Sequence, residues 1–388
     1  MKIAIITSGL LPLPATKGGA IETLIDTFTK ENEVKKKLNI DIYTLSDAIS
    51  KKQVKINNYK YTNYIYISSI SNFLVKVINK LFKTSIPINK YYQKRVVNLV
   101  NKSDYQYIII ENYPELLLKL SSNKVIPYIH SDVLNPSTDN AQEILKRAYK
   151  VITVSDFIKS QVAKINNDYV SKIFTIYNSN DFDELSEREY ETYRKDIRKK
   201  YNLEIDDFVY AFSGRISEEK GPLELVKAFN RANVSNKKLL IIGGIWYGCN
   251  SKNEYLTSLE KISNDNIIYT GYVNHKDIQK ILCAVDVGVV PSICNEAAGL
   301  SAIEFMHEKN IVVASNMGGI SEYLDKDNNY LVDYKNKEQF VNDLSKRLEE
   351  VSLKKNNLKD IGKKNYLYSK KYSVSSNYDN IVKVLRGE

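Results

Sequence analysis

The sequence predicts an α/β fold built as two open parallel sheets, and three observations carry that prediction. The chain has 388 residues, more than one ordinary hydrophobic core serves, so two domains are the starting point. Short runs rich in Ile and Val alternate with helical segments along most of its length, and strands joined through helices lie parallel. The alternation comes in two sets, divided by a charged stretch without strand signal.

In the first set KIAIIT, DIYTL, YQYIII, VIPYIH, KVITVS and KIFTIYN read as strands, with AIETLIDTFTKEN and AQEILKRAY as helices between them. DELSEREYETYRKDIRKKYN follows, charged throughout, and places a linker over 181–206. The second set reads FVYAFSG, KLLIIGG, NIIYTGY, VGVVPS, IVVAS and YLVD as strands, and GPLELVKAFNRA, KDIQKILCAV, LSAIEFMHE and GISEYLD as helices. A last helical stretch covers 357–386. The expected boundaries are a first domain over 1–180, the linker, a second domain over 207–365, and a C-terminal helix within 366–388 that packs back towards the first domain.

Hydrophobic residues make up 43% and charged residues 26% of the chain, a globular balance. No run approaches the roughly 18 apolar residues that cross a bilayer. The opening IAIITSGLLPLP is short, broken by prolines and without a small-residue cleavage site, so it reads as a strand and its loop rather than a signal peptide. Three cysteines without a C-x-x-C pair suit a reducing compartment, and the expected location is the cytoplasm. Only His130, His275 and His307 are available as imidazoles, which nearly excludes a histidine-rich metal site.

The net charge of +10 is uneven: residues 1–180 hold 25 Lys and Arg against 14 Asp and Glu, which leaves 31 against 32 in the remainder. No acidic residue lies between Asp47 and Asp104, where eleven Lys and Arg stand. Within that stretch NFLVKVINKLFK puts Phe73, Val77 and Leu81 on one helical face and Lys76, Lys80 and Lys83 on another. Such a helix suits anionic lipid, each lysine contributing about 1 kcal/mol near the surface. A solvated face of an ordinary surface helix is the alternative. Nucleic acid has the right charge sign as a partner, but no nucleic-acid motif occurs.

In an open parallel sheet ligands bind beyond the carboxyl ends of the strands, and each polar cluster falls at such a junction. After IAIIT, Gly18 and Gly19 open a helix whose backbone N–H groups can approach a phosphate closely; the spacing is neither G-x-G-x-x-G nor a phosphate-binding P-loop, and a plain turn is the alternative. In FSGRISEEKGPLELVKAF, Arg215 follows the strand end and Lys220 precedes the helix start at Gly221 and Pro222. Two cations on one loop can grip a diphosphate, and a salt bridge with Glu218 or Glu219 is the alternative. NEAAGLSAIEF carries Glu296 before a helix that begins at Gly299 to Ser301, and Glu304 inside it. This spacing points the two carboxylates at different parts of an extended ligand rather than pairing them as acid and base. His130 closes an apolar strand and, taken alone, reads as a satisfied core residue.

The stretch from Glu296 to Glu304 resembles the E-x7-E motif of retaining glycosyltransferases with the GT-B fold, and the whole chain is similar to the large family 4 of those enzymes, the glycosyl transferases group 1. GGAIE, YIHSD, VITVSDFIKSQV, GRISEEKGP, IIGG, YTGYV, the E-x7-E stretch and SNMGGISEYL come in that family's order. WYG after IIGG resembles bacterial members linked to surface or spore-coat polysaccharides. The resemblance implies two facing Rossmann-like domains with parallel sheets and an interdomain cleft, and transfer of a sugar with retention from a nucleotide donor, UDP-sugar favoured. It implies a saccharide acceptor on the N-terminal side and no metal or further cofactor; the basic stretch over residues 48–103 adds the expectation of a lipid-linked acceptor and of contact with anionic membrane at the inner face of the cell membrane, and the lack of a nucleic-acid motif that of no nucleic-acid partner.

Residue by residue, the resemblance places Gly18 and Gly19 at the donor, Gly19 approaching its diphosphate, which Arg215 and Lys220 neutralise. Glu304 holds the ribose and Glu296 the donor sugar, backbone N–H groups of Gly299, Leu300 and Ser301 face donor oxygens, and Tyr272 and Val273 seat the base. His130 matches a histidine that contacts the donor sugar near the reacting carbon. Two departures bear on donor identity: the family's N-G-V-D element stands here as Asn178, Ser179, Asn180 and Asp181, and Ala297 and Ala298 replace the aromatic that follows the first motif glutamate. A sugar-nucleotide epimerase of the same fold and a polysaccharide-binding protein without activity are the competing functions.

Overall fold

The computed structural model describes residues 1–67, 89–244 and 254–388. They form two compact units, Met1–Asn178 with Val374–Glu388, and Ser179–Ser373. Each is built on one parallel sheet between helices, the α/β architecture that the alternating pattern predicts.

The first unit contains β1 (Lys2–Ile6), β2 (Asn39–Thr44), β3 (Thr62–Tyr66), β4 (Tyr107–Glu111), β5 (Val125–Ile129), β6 (Val151–Thr153) and β7 (Ile173–Thr175). They lie in the order β3-β2-β1-β4-β5-β6-β7, every neighbouring pair parallel. All five residues of β5 are buried, as expected of a strand covered on both faces. The order reverses between β1 and β4, so the loops leaving these strands run in opposite directions and open a crevice at their carboxyl ends. The chain's last helix, Val374–Arg386, belongs to this unit: Tyr378 lies 5.0 Å from the Phe28 ring and donates to Asn32 Oδ1 at 2.6 Å.

The second unit contains β8 (Phe208–Ser213), β9 (Lys237–Ile242), β10 (Ile267–Gly271), β11 (Val287–Val290), β12 (Ile311–Ser315) and β13 (Tyr330–Val332), in the order β10-β9-β8-β11-β12-β13. Its neighbouring strands are also parallel. Side chains of β8 alternate between two cores, Phe208, Tyr210 and Phe212 on one face and Val209 and Ala211 on the other, the period-two signature of a strand. Here the reversal lies between β8 and β11. Helix Leu300–His307 packs so closely on β11 that a Cβ at Gly288 would stand 2.1 Å from the Phe305 ring.

Several parts of the chain differ from the sequence expectation, the unforeseen helices Ala48–Asn57, Glu254–Ile262 and Lys337–Ser352 among them. The stretch read as a linker folds as helix Glu187–Lys200 of the second unit, opened by a capping box of Ser186 and Glu189. It is held by arginines beside an apolar contact of Tyr190 and Ile197: Arg194 and Arg198 meet Asp286 at 2.8 and 3.1 Å, and Asp286 also accepts from the Val209 N–H at 2.9 Å. β3 and the helices Lys90–Val100 and Asp156–Ala163 add to the first set. GISEYLD gives only a short 3-10 turn, Ile320–Glu322. The helical stretch 357–386 is broken at Lys370–Tyr372, which divides it between the two units.

The amphipathic segment NFLVKVINKLFK, with Lys76, Lys80 and Lys83, and the WYG after IIGG lie outside the described residues. Among the described residues no helix is long and apolar enough to cross a membrane.

Candidate active site

In the second unit the functional side chains of the sequence gather where the strand order reverses. Gly214 and Arg215 follow β8, and Ser292 to Glu296 follow β11, the neighbouring strand. The two loops are fastened together: the Ile293 N–H donates to the Glu219 carbonyl at 3.0 Å. Gly221, with φ +70°, starts helix Pro222–Arg231, and a Cβ there would stand 2.0 Å from the Pro291 carbonyl oxygen. Only glycine satisfies both the left-handed backbone and the close approach, and it sets the preceding Lys220 facing Glu296.

Lys220 Nζ donates to both carboxylate oxygens of Glu296, at 2.6 and 2.7 Å, and the Ser292 hydroxyl also donates to this carboxylate. The Glu296 carbonyl accepts from the Gly319 N–H at 2.7 Å, which fixes the backbone under the side chain. Arg215 takes the alternative partner of the sequence analysis, Glu219, at 2.7 Å; both side chains are about two-fifths exposed, 39% and 42%. Glu218 pairs instead with Lys337, at 2.8 Å. An exposed pair of this kind contributes only about 0.2–1 kcal/mol, so the guanidinium is available to a stronger anion.

Gly299 precedes helix Leu300–His307, whose first-turn N–H groups include those of Leu300 and Ser301. Such groups carry positive potential that suits an anion. Glu304 lies one turn further along. It retains some exposure, yet protein atoms displace water around most of it, and burial pushes its carboxyl up to about 7. His275 pulls in the opposite direction and Asp181 adds to the rise. His275 Nε2 lies 2.8 Å from Asp181 Oδ1, and that bond holds the imidazole above its ordinary range. Neither His275 nor Asp181 carries a site signal in the sequence beyond the Asn178–Asp181 element.

Tyr272 and Val273 follow β10 and line a cavity of about 390 Å³ together with Lys200, Tyr201, Asn274 and Lys280. Arg215, Lys220, Glu296 and Glu304 are not among its lining residues. The structure therefore brings Lys220 and Glu296 into contact and sets Tyr272 and Val273 at the edge of the sheet.

In the first unit, Gly18 and Gly19 have φ +75° and +102°, and Gly19 opens helix Ala20–Lys35 without a side-chain cap. A Cβ on Gly19 would lie 2.3 Å from Glu22 Oε2 and 2.8 Å from Leu11, so the carboxyl of Glu22 rests against the glycine pair. His130 follows β5, its ring stacked on Tyr128 with centroids 4.3 Å apart. It is not a satisfied core residue: Nε2 lies 2.7 Å from Glu111 Oε2, while Nδ1 is buried and has no hydrogen-bond partner among the described residues. Glu22 and Glu111, 6% and 4% exposed, escaped the sequence analysis. Glu22 closes the GGAIE motif but received no role there, and Glu111 shows only as a carboxylate at the close of YIIIE, where an apolar pattern calls for none. Among the described residues no group of three or more His, Cys, Asp or Glu is arranged to hold a metal ion.

Residues 193–366 match the family model of the glycosyl transferases group 1. The chain is 27% identical over 338 residues to "Putative glycosyltransferase YtcC" of Bacillus subtilis, covering 83% of this chain and 76% of the relative. It is 26% identical over 379 residues to "Lipopolysaccharide 1,2-N-acetylglucosaminetransferase" of Salmonella typhimurium, covering 89% of each. Among solved structures, Anabaena Alr3699/HepE in complex with UDP-glucose superposes with a TM-score of 0.71 at 17% identity, over the full length of both chains. The superposition shows the fold alone. The family model and the relatives together support a glycosyltransferase of group 1, of GT-B type.

Proposed function

We propose that the chain transfers a sugar from a nucleoside-diphosphate donor, a UDP-sugar, to a saccharide acceptor carried on lipid, with retention at the anomeric carbon, in the building of a cell-surface polysaccharide. The observation that carries this proposal is the pair of ion pairs on the loops at the β8–β11 reversal, Lys220 with Glu296 and Arg215 with Glu219, at the strands' carboxyl ends. The UDP-glucose complex of the Anabaena protein supports the choice of donor, and the Salmonella relative supports a polysaccharide context.

The acceptor hydroxyl attacks the anomeric carbon on the face from which the diphosphate leaves. The bond from that carbon to the phosphate oxygen breaks, the acceptor proton passes to a phosphate oxygen, and the products are the glycoside and UDP. Catalysis is then chiefly the meeting of charge on the leaving group. Lys220 exchanges part of its bond to Glu296 for the diphosphate, Arg215 leaves Glu219 for the same anion, and the N–H groups of Gly299, Leu300 and Ser301 add theirs. Glu296 accepts from hydroxyls of the donor sugar, and Glu304 from the ribose. Tyr272 and Val273 seat the base. Gly18 and Gly19 approach the donor from the first unit, and His130 meets the donor sugar. Because protein cations supply the positive charge, activity is expected to persist in chelator.

The enzyme works in the cytoplasm, at the inner face of the membrane. Lys51, Lys52, Lys55, Lys90, Lys94 and Arg95 are all exposed, and Ile49, Ile56 and Tyr91 stand exposed beside them at 63%, 63% and 49%. Vesicle co-sedimentation that rises with anionic lipid is the expected outcome. The function itself is tested by mass spectrometry of the full chain with mixed nucleotide sugars and a membrane-lipid extract, followed by NMR of the product. A new glycoside with the donor's anomeric configuration supports the proposal. Inverted product, donor conversion without acceptor, or binding without turnover overturns it.

A further inference from the structure

The first unit carries a buried set of titratable groups that the mechanism above uses only in part. Glu111 closes β4, Glu22 sits in the first turn of helix Ala20–Lys35, and His130 follows β5, so three elements bring two acids and one imidazole to one corner. The side chains of His130 and Glu111 are each 5% exposed. Burying a charge or an unpaired polar atom is costly, so a corner of this composition needs a reason to persist.

The local geometry shows how the imidazole is held. The Asn112 Oδ1 accepts from the backbone N–H groups of both His130 and Ser131, at 3.0 Å each. This fixes the chain on either side of the imidazole, and Tyr128 stacks on its face. One ring nitrogen is spoken for by Glu111 at 2.7 Å. The other, Nδ1, is buried and unpartnered among the described residues. Which ring nitrogen holds the proton is set by the bond that the other one makes. A carboxylate only accepts, so an Nε2–H donates to Glu111 and the neutral ring presents Nδ1 as a bare acceptor.

We propose that Glu111 is a positioning residue for the transfer reaction: it holds His130 as the Nε2–H tautomer, so that Nδ1 accepts a hydroxyl of the sugar substrate. This rests on the glycosyltransferase function proposed above. Glu22 supports the assignment. Burial pushes its carboxyl up, with His130 pulling it down and Glu111 pushing it further, while the oxygen at hydrogen-bond distance from the imidazole is that of Glu111. Glu22 also ties the corner to the glycine pair, since its oxygen lies where a Gly19 side chain would begin. The three groups thus link the β1 loop, at which the donor is expected, to the imidazole.

With only three histidines in the chain, ring ¹⁵N NMR can follow each, assigned through His130→Gln, His275→Gln and His307→Gln. In the free wild-type protein the His130 ring is expected as the Nε2–H tautomer, and Glu111→Gln is expected to shift it towards a mixture. In the transfer assay Glu111→Gln is expected to lower kcat about ten- to a hundredfold, the scale on which outer partners of functional histidines act, with the donor KM nearly unchanged. Glu111→Asp is expected to recover part of the rate. An Nδ1–H tautomer in the wild type, an unchanged tautomer in Glu111→Gln, or a kcat within twofold of wild type overturns the assignment. The tautomer measurement needs no turnover, and wild-type transfer is assayed alongside, so failure of the general function and failure of this role give different results.

Discussion

The two units share a scaffold and differ in what they place at the reversal of strand order. In the second, cations and carboxylates sit in partly exposed pairs, Arg215 with Glu219 and Lys220 with Glu296, whose side chains range from 14% to 42% exposed. In the first, His130 and Glu111 are 5% exposed and locked by neighbours on both sides. Exposed pairs are weak and exchange partners readily, whereas a buried pair keeps its geometry because breaking it leaves an uncompensated polar group. One scaffold therefore carries ion pairs that can rearrange in the second unit and an imidazole fixed in place in the first.

The largest effect that would sharpen this contrast is expected at Lys220. Lys220→Ala is expected to reduce transfer about a hundred- to a thousandfold, roughly 3–4 kcal/mol, the scale of losing one preorganised donor to developing charge. Steady-state kinetics at rising ionic strength adds a second check. Salt screens exposed cations within about a Debye length, so the donor KM of the wild type is expected to rise with salt, while the kcat deficit of Glu111→Gln stays constant.

Next in size is the pH response at Glu304. Its carboxyl, pushed up to about 7 by burial, is protonated in the folded protein between its unfolded value of 4.5 and about 7, where the unfolded chain is ionised. The folded state binds more protons over that window, so stability falls as pH rises through it. Glu304→Gln removes that slope and is expected to make the protein about 1–2 kcal/mol more stable than wild type at pH 8, after allowance for partial exposure, as chemical denaturation at pH 5 and pH 8 can measure. Nucleotide affinity runs the other way. With the ionised carboxylate accepting ribose hydroxyls as proposed above, wild-type affinity is expected to rise about tenfold from pH 6 to pH 8, and Glu304→Gln to flatten the rise. His275→Gln separates the contribution of its neighbour, whose own range is raised by Asp181.

The smallest effect belongs to the surface of the first unit. Asp379, on the last helix, pairs with Lys35 at 2.6 Å and Lys37 at 2.9 Å. Asp379→Asn is expected to lower stability by no more than about 1 kcal/mol and to leave transfer unchanged. A loss of several kcal/mol would place the grip on that helix in its ions rather than in buried Tyr378, Ile381 and Leu385.

The sheets were legible because parallel strands covered on both faces become runs such as YIIIE and IVVAS, which no other burial pattern produces as economically. The helix Glu187–Lys200 was not legible. Its inner face sets only Tyr190 and Ile197 beside arginines that meet Asp286, and a helix so rich in charge resembles a linker in composition. The residues of the second-unit site stood out because cations and carboxylates gather at strand ends in the order of a known family's motifs, although a local salt bridge was open to the cations and Arg215 takes it. Lys220 was expected to compete between diphosphate and Glu218 or Glu219, and its pairing with Glu296, 76 residues away, is a product of tertiary packing. Glu22 and Glu111 were hidden for the same reason, since burial of an acid follows from how strands and helices close over it, not from its neighbours in sequence.

In the function proposed above, the cations after β8 meet the charge of the departing nucleotide. Calorimetric titration of UDP into the wild type, Arg215→Ala and Lys220→Ala tests it most directly. The prediction is binding by the wild type and a loss of about tenfold or more in each variant, the worth of one charge-assisted hydrogen bond. Equal affinity in all three proteins would contradict it.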